Sequence, residues 1–259
     1  MKVITGLAVG VVLGLGVSGS AEAAPIYATD FQGYTNGTVQ GQDDWTSFNA
    51  TSQMYVEADD QGKKGMYFHT LPDSDKAAPY AWRPFSGVPD NSQVTVEFDV
   101  RLSDFSAYSE IWCIGRDGTG GQYPSSFSIF IAGNNATNYQ VGTYQDGGSF
   151  YSITKGNVMP IATTAHINIA ADYGTHTYAV NVQDGSSSWT KSGLSWADTT
   201  GDNGSTDALR GLYYSGLGGQ AITVDNIVVN VVPEPASLLL LLALGGLLPG
   251  RRNAAKKRA

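Results

Sequence analysis

The chain has 259 residues, 42% of them hydrophobic and 11% aromatic, with 32 glycines, one cysteine and a formal net charge of −8. Lys2 and the five cations at Arg251, Arg252, Lys256, Lys257 and Arg258 lie at the ends, so residues 24–232 hold nine basic against twenty-one acidic groups, a net −12. That balance excludes nucleic acid and anionic lipid surfaces as partners, because both are gripped by clustered cations. A single cysteine excludes an internal disulfide.

The first predicted element is a secretory signal over residues 1–23. One charge, Lys2, precedes an apolar run from Val3 to Val17, and Ala21-Glu22-Ala23 offers an A-x-A cleavage site. The run is about 15 residues and glycine-rich, short of the roughly 20 that a membrane span needs. Export follows as the expectation, with residues 24–232 as one domain.

That stretch opens with Ile26-Tyr27-Ala28-Thr29-Asp30-Phe31, then Gly33-Tyr34, then a glycine-rich approach to Trp45. Alternation of apolar and polar residues then repeats along the chain. Its clearest instance is Gln93 to Leu102, with Val94, Val96, Phe98, Val100 and Leu102 on one face and Gln93, Thr95, Glu97, Asp99 and Arg101 on the other. Further strands are predicted around Phe127–Ile131, Ile167–Ile169, Tyr178–Val182 and Ile222–Val229. Turn signals such as Gly133-Asn134-Asn135, Asp146-Gly147-Gly148 and Asp184-Gly185 separate them. No segment between residues 24 and 232 sustains a helical period. The expectation is an all-β, two-sheet antiparallel jelly-roll sandwich.

Cys113 lies in a strand-like run, Ser109 to Gly115, with Trp112 beside it, and both read as core. His69, His166 and His176 carry no recognisable signature of a nucleophile's partner. Trp189 and Trp196 fall in the serine-rich stretch Ser186–Trp196, which reads as a polar loop; if exposed, their rings are the candidate stacking platform for a glycan. The chain closes its strand series with Val224-Asp225-Asn226-Ile227-Val228-Val229.

The opening around Asp30-Phe31-Gln32-Gly33-Tyr34 and this closing strand resemble concanavalin-like, laminin-G-like jelly rolls of bacterial surface proteins. The resemblance implies that the first and last strands pair. Asp30, Asp225 and Asn226 would then be neighbours, and they are the candidate ligands of a calcium ion, which accepts six to eight hard oxygens. Glycoside hydrolases resembling laminarinase share such a fold and carry an E-x-D-x-x-E or E-x-D-x-E strand. Glu97 and Asp99 match its first two positions, but Arg101, Leu102 and Ser103 occupy every place open to the third. Without a second catalytic carboxyl a retaining hydrolase has no acid for the leaving group. The strand reads instead as a solvated face with Arg101 paired to Glu97 or Asp99, and no catalytic residue is assigned.

The last predicted element spans residues 233–259. Pro233-Glu234-Pro235, the apolar segment 236–248 and a basic tail containing Arg251 and Arg252 follow one another in that order. The apolar segment is about 20 Å long as a helix, thin for a 30 Å hydrocarbon core. Its basic end belongs with the cytoplasm, which places the domain outside. The three parts resemble a PEP-CTERM sorting signal. The resemblance implies a Gram-negative, exopolysaccharide-secreting cell, an exosortase-type membrane protease as partner, and transient association with the inner membrane. The sequence thus reads as a non-enzymatic protein of the cell envelope, outer surface or extracellular matrix, with a lectin-like sandwich and extracellular polysaccharide as its candidate partner. A glycan-cleaving enzyme of the same fold and a purely structural matrix protein are the alternatives. Replacing Glu234 or the basic tail should leave export intact and alter processing or retention. Mass spectrometry of the mature protein checks this, and a surface form still ending at Ala259 contradicts it.

Overall fold

The computed structural model describes residues 25–47, 53–59, 61–69, 80–102, 109–116, 125–133, 137–144, 150–156, 158–196, 208–217 and 222–232. The signal segment, for which an N-terminal helix is expected, and the sorting tail, with Pro233, Glu234, Pro235, Arg251, Arg252 and the short apolar helix expected over 236–248, lie outside them. Seventeen strands and no helix occur among the described residues. In chain order they are β1 (Tyr27–Thr29), β2 (Gly37–Thr38), β3 (Thr46–Ser47), β4 (Gln53–Ala58), β5 (Lys64–His69), β6 (Tyr80–Pro84), β7 (Gln93–Leu102), β8 (Ser109–Arg116) and β9 (Ser125–Gly133). Then come β10 (Asn138–Tyr144), β11 (Phe150–Ser152), β12 (Met159–Pro160), β13 (Thr164–Asp172), β14 (Thr177–Asp184), β15 (Ser187–Ser195), β16 (Gly211–Leu217) and β17 (Ile222–Val232).

Two antiparallel sheets pack face to face. One runs β15, β14, β13, β7, β17, β5, β4, β2, with β1 also on β17; the other runs β11, β10, β9, β8, β16, β6, β3, with β12 on β10. Period-two alternation decides which side of each strand is dry. On β7 the five apolar residues from Val94 to Leu102 are all buried, and the strand has the bounds its alternation predicts. Val96 and Phe98 lie in register with Ile169 and Ile167 of β13, so neighbouring strands add their apolar sides to one continuous core. Cys113 sits in that core, where burial pushes its thiol up to about 12; as expected, it is an inert packing residue. Beside it in β8, Trp112 stands opposite Phe130 in the register, and Cys113 opposite Ile129.

The ends of the domain are tied together as the sequence predicts. Tyr27, Ala28 and Thr29 pair antiparallel with Val229, Val228 and Ile227. The aromatic opening explains itself here. Phe31 and Trp45 are buried, Phe31 packs on Tyr34 at 4.9 Å between ring centroids, and the Trp45 indole N–H donates to the Tyr27 hydroxyl at 3.0 Å. Trp45, just before β3, reaches Tyr214 of β16 in the same eight-stranded sheet at 6.1 Å, and the motif's rings join the buried core.

Two readings are corrected. Ser186–Trp196 is not a loop: residues 187–195 form β15, the edge of the larger sheet, and its serines are the polar dress of an exposed edge strand. Arg101 does not serve the Glu97–Asp99 face as a counter-ion. Its Nη1 meets Asp59 at 3.3 Å and its Nε donates to the Ala162 carbonyl at 3.2 Å, in a pair that is almost wholly buried. Phe98→Ala should cost about 3–5 kcal/mol, whereas Thr95→Ala, on the opposite face of the same strand, should cost about 1 kcal/mol or less. Urea unfolding of the two variants checks the assignment of faces.

Candidate functional site

The outer face of the larger sheet is a field of planar polar side chains, and the strand register builds it. Asp99 stands opposite His166, and Glu97 opposite Asn168. The His166 Nδ1–H donates to Asp99 Oδ1 at 2.8 Å, and its Nε2 lies 3.7 Å from Glu97 Oε2. The Asn168 amide donates to Glu97 Oε1 at 2.9 Å. On the other side of β7, the Asn226 amide donates to Asp99 Oδ2 at 2.7 Å. The network continues outward, because Asn181 of β14 donates to Thr190 of β15 at 2.7 Å and accepts from Gln183 at 2.9 Å. A shallow open depression of about 390 Å³ lies where His166, Thr164 and Gln183 meet the β14–β15 turn at Gly185–Ser188.

These side chains are fixed by the sheet and by one another while keeping exposed polar edges. His166 is 41% exposed, Glu97 33% and Asp99 23%. A carboxylate or amide that already holds one partner still offers further lone pairs or an N–H to solvent. The field is therefore a preorganised hydrogen-bonding surface.

Beside it is an acidic corner made by a β-bulge. The pairing of β17 with β7 slips between Asp225 and Val228, so two residues, Asp225 and Asn226, stand between the inward-facing Val224 and Ile227. Asn226 takes a left-handed backbone, φ 51°, and its N–H donates to the Asp225 carboxylate at 2.8 Å. Asp225 is directly opposite Asp99. Burial pushes its proton affinity up to about 6, and the charges of Asp99 and Asp30 add to the rise.

The candidate residues fare differently. Asp30, Asp225 and Asn226 are brought together, since Thr29 pairs with Ile227. Yet among the described residues no group of three or more His, Cys, Asp and Glu side chains is placed to hold a metal. Trp196 is buried at 5% exposure, stacked on His176 at 4.5 Å and edge-on to Tyr173 at 4.9 Å. Trp189 pairs with Val182 in the register and packs half-buried against the core. Trp189 stands on the dry side of β15 and Trp196, just past its end, is buried, so the exposure that a stacking platform requires is not met at Trp196 and is only partial at Trp189. Glu97 and Asp99 do share the wet face, and His166 is the functional-site candidate that sequence reasoning missed. Its partners lie 67 and 69 residues away along the chain, and only the β7–β13 register reveals them.

No protein-family model matches this sequence, and no curated protein matches it. Among solved structures, the domain is similar to the CBM2 module of the evolved Dit of Lactobacillus casei BL23 phage J-1, with a TM-score of 0.51, 11% identity, and coverage of 82% of this chain and 98% of that one. It also matches the Emp47p carbohydrate recognition domain (TM-score 0.49, 11% identity, 83% and 100% covered) and lectin II from Ulex europaeus (0.46, 8%, 81% and 100%). The domain is an antiparallel two-sheet jelly roll. At such identities the likeness concerns the fold, and function has to come from the site.

The acidic corner gives a stability test. The folded-state value for Asp225 lies above the ordinary carboxylate value of about 3.9, so the fold is favoured by its protonated form. That contribution is fully present below about pH 4 and is lost as pH rises through about 6. Asp225→Asn should melt within a degree of the parent at pH 4 and a few degrees higher at pH 7.5. The difference corresponds to about 1 kcal/mol after allowance for solvent screening of a half-exposed group. Thermal unfolding at the two pH values checks it.

Proposed function

We propose that this protein is an exported, non-enzymatic glycan-binding protein of the cell surface or extracellular matrix, sorted by its C-terminal tail. The observation that carries the binding reading is the outer field of Glu97, Asp99, His166, Asn168, Asn181 and Gln183, held in one plane by the strands beneath it. Sugar hydroxyls both donate and accept, and planar amides and carboxylates meet them in pairs with little loss of conformational freedom. The jelly-roll likeness to a CBM2 module supports the reading at the level of architecture. Its ligand would be extracellular polysaccharide, and its processing partner an exosortase-type protease.

The same geometry argues against glycoside hydrolysis. Retaining hydrolysis needs one carboxyl ionised and another held protonated by its surroundings. Glu97 and Asp99 instead flank one imidazole and accept from neighbouring amides, so both are engaged within the sheet face and neither is set apart from the other by its surroundings. A glycan array on the purified domain should show binding that Asn168→Ala and Gln183→Ala weaken about tenfold, with no release of reducing ends from β-glucans or galactans. Hydrolysis abolished by Glu97→Gln would transfer the site to the enzyme reading.

A further inference from the structure

The strand registers extend the polar face well beyond the cluster around His166. One row of outward residues runs from Thr190 of β15 through Asn181, Asn168 and Glu97 to Val228 of β17 and Ala28 of β1, each directly opposite the next. A second row, two residues along the strands, runs through Ser188, Gln183, His166 and Asp99 to the β17 bulge, where the Asn226 amide meets Asp99. None of these residues is buried. The rows are tied to each other, because Gln183 donates to Asn181 at 2.9 Å and His166 reaches Glu97 as well as Asp99. The longer row crosses six strands, so at about 4.8 Å per step it is about 24 Å long.

A shallow depression lies at each end. The one at the β14–β15 turn takes in Ser188, Gln183 and His166. The other, of about 540 Å³, is walled by Ala28, Asp30, Tyr34, Asn226 and Val228 among others. The two rows therefore form a track that joins the two depressions across the sheet.

Length, charge and shape limit what fits this track. Its length matches about four or five sugar units of an extended chain, one unit for each interstrand step. Neither row contains a lysine or arginine, and Glu97 and Asp99 lie in its middle, so an anionic chain is repelled. The sheet beneath turns by about 20–25° from strand to strand. A single chain follows that turn by rotating about its glycosidic bonds, whereas the flat face of a crystalline polysaccharide does not. Trp189 and Trp196, turned inward or buried, supply no flat platform for such a face.

We propose that the two rows bind an internal segment of a single, neutral, linear polysaccharide chain that lies across the strands. The proposal rests on the glycan-binding reading and gives it a substrate class: the interior of an extended chain, and neither a chain end nor a crystalline surface. Affinity accumulates with each strand crossed, because side chains already held in place meet the ring hydroxyls at every step. Ala28 and Val228 finish the longer row with apolar surface suited to the C–H face of a ring.

The test is calorimetric titration of the purified protein with linear β-glucan, mannan and xylan oligomers of one to six units. In the series that binds, affinity should rise at least about a hundredfold from dimer to pentamer and no more than about twofold from pentamer to hexamer. Reducing the end unit of the hexamer to its alditol should change nothing. Ala28→Tyr sets a ring across the far end of the track and should weaken the pentamer about tenfold while sparing the dimer. Gln93→Tyr, on the same face of β7 but about 13 Å from Glu97 along the strand, should leave both unchanged. Both positions are exposed, and circular dichroism checks that the variants fold. Full affinity in the dimer, or affinity lost in the alditol, overturns the internal-segment assignment. Loss in Gln93→Tyr with Ala28→Tyr unaffected places the chain along the strands and overturns the crossing. Retention on insoluble crystalline cellulose with no soluble oligomer bound overturns the single-chain assignment, and tighter binding of a uronic acid oligomer overturns the neutral one. Binding of none of these oligomers defeats the track alone; a blank glycan array defeats the underlying reading as well.

Discussion

The seam along β17 is the constraint on which the rest of the domain depends. This one strand hydrogen-bonds β7 along one edge and shares its other edge between β5 and β1, so the two ends of the described chain close on the same backbone. The strand cannot satisfy all three partners while staying regular. Its inward residues Val224, Ile227 and Val229 must face the core, and the bulge at Asp225–Asn226 absorbs the extra residue that this demands. The same irregularity that completes the core therefore pushes two polar side chains onto the outer face, one of them a carboxylate beside another carboxylate. A structural requirement has placed charge where a ligand can reach it.

The polar field grows from the same seam. Asn226 in the bulge fixes Asp99 from one side, and His166 fixes it from the other. Asn168 does the same for Glu97. None of these side chains spends apolar area, because the core beneath them is already filled by Val96, Phe98 and Ile167. β7 divides its labour: Val94, Val96, Phe98, Val100 and Leu102 hold the sheets together, and Glu97 and Asp99 between them face solvent in fixed positions. Such a surface supplies preorganised polar contacts, and the acidic balance around it selects against anionic polymers.

Much of the fold was legible in the sequence. The alternation over Gln93–Leu102 returned β7 with its bounds, and the opening and closing motifs led to the pairing of β1 with β17. The errors have physical causes. The serine-rich stretch carrying Trp189 and Trp196 reads as a loop because an exposed edge strand has little apolar signal to alternate. Whether its two tryptophans are exposed cannot be read from such a stretch; the register with Val182 turns Trp189 inward, and Trp196 stacks on His176. Arg101 was matched to the nearest acids along the strand. The structure pairs it with Asp59, forty-two residues earlier, because sheet order sets its neighbours. His166 was invisible for the same reason: a cross-strand cluster leaves no spacing pattern in the chain.

The proposed ligand face is the outer side of the nine-stranded sheet, around His166 and the β17 bulge. The most direct measurement is a crystal structure of the domain with its best-bound oligosaccharide. Sugar density should lie over β7, β13 and β17, within hydrogen-bond distance of Asn168 and His166. Sugar bound instead on the outer face of the eight-stranded sheet, or at the sandwich ends away from Glu97 and Asp99, would contradict that placement.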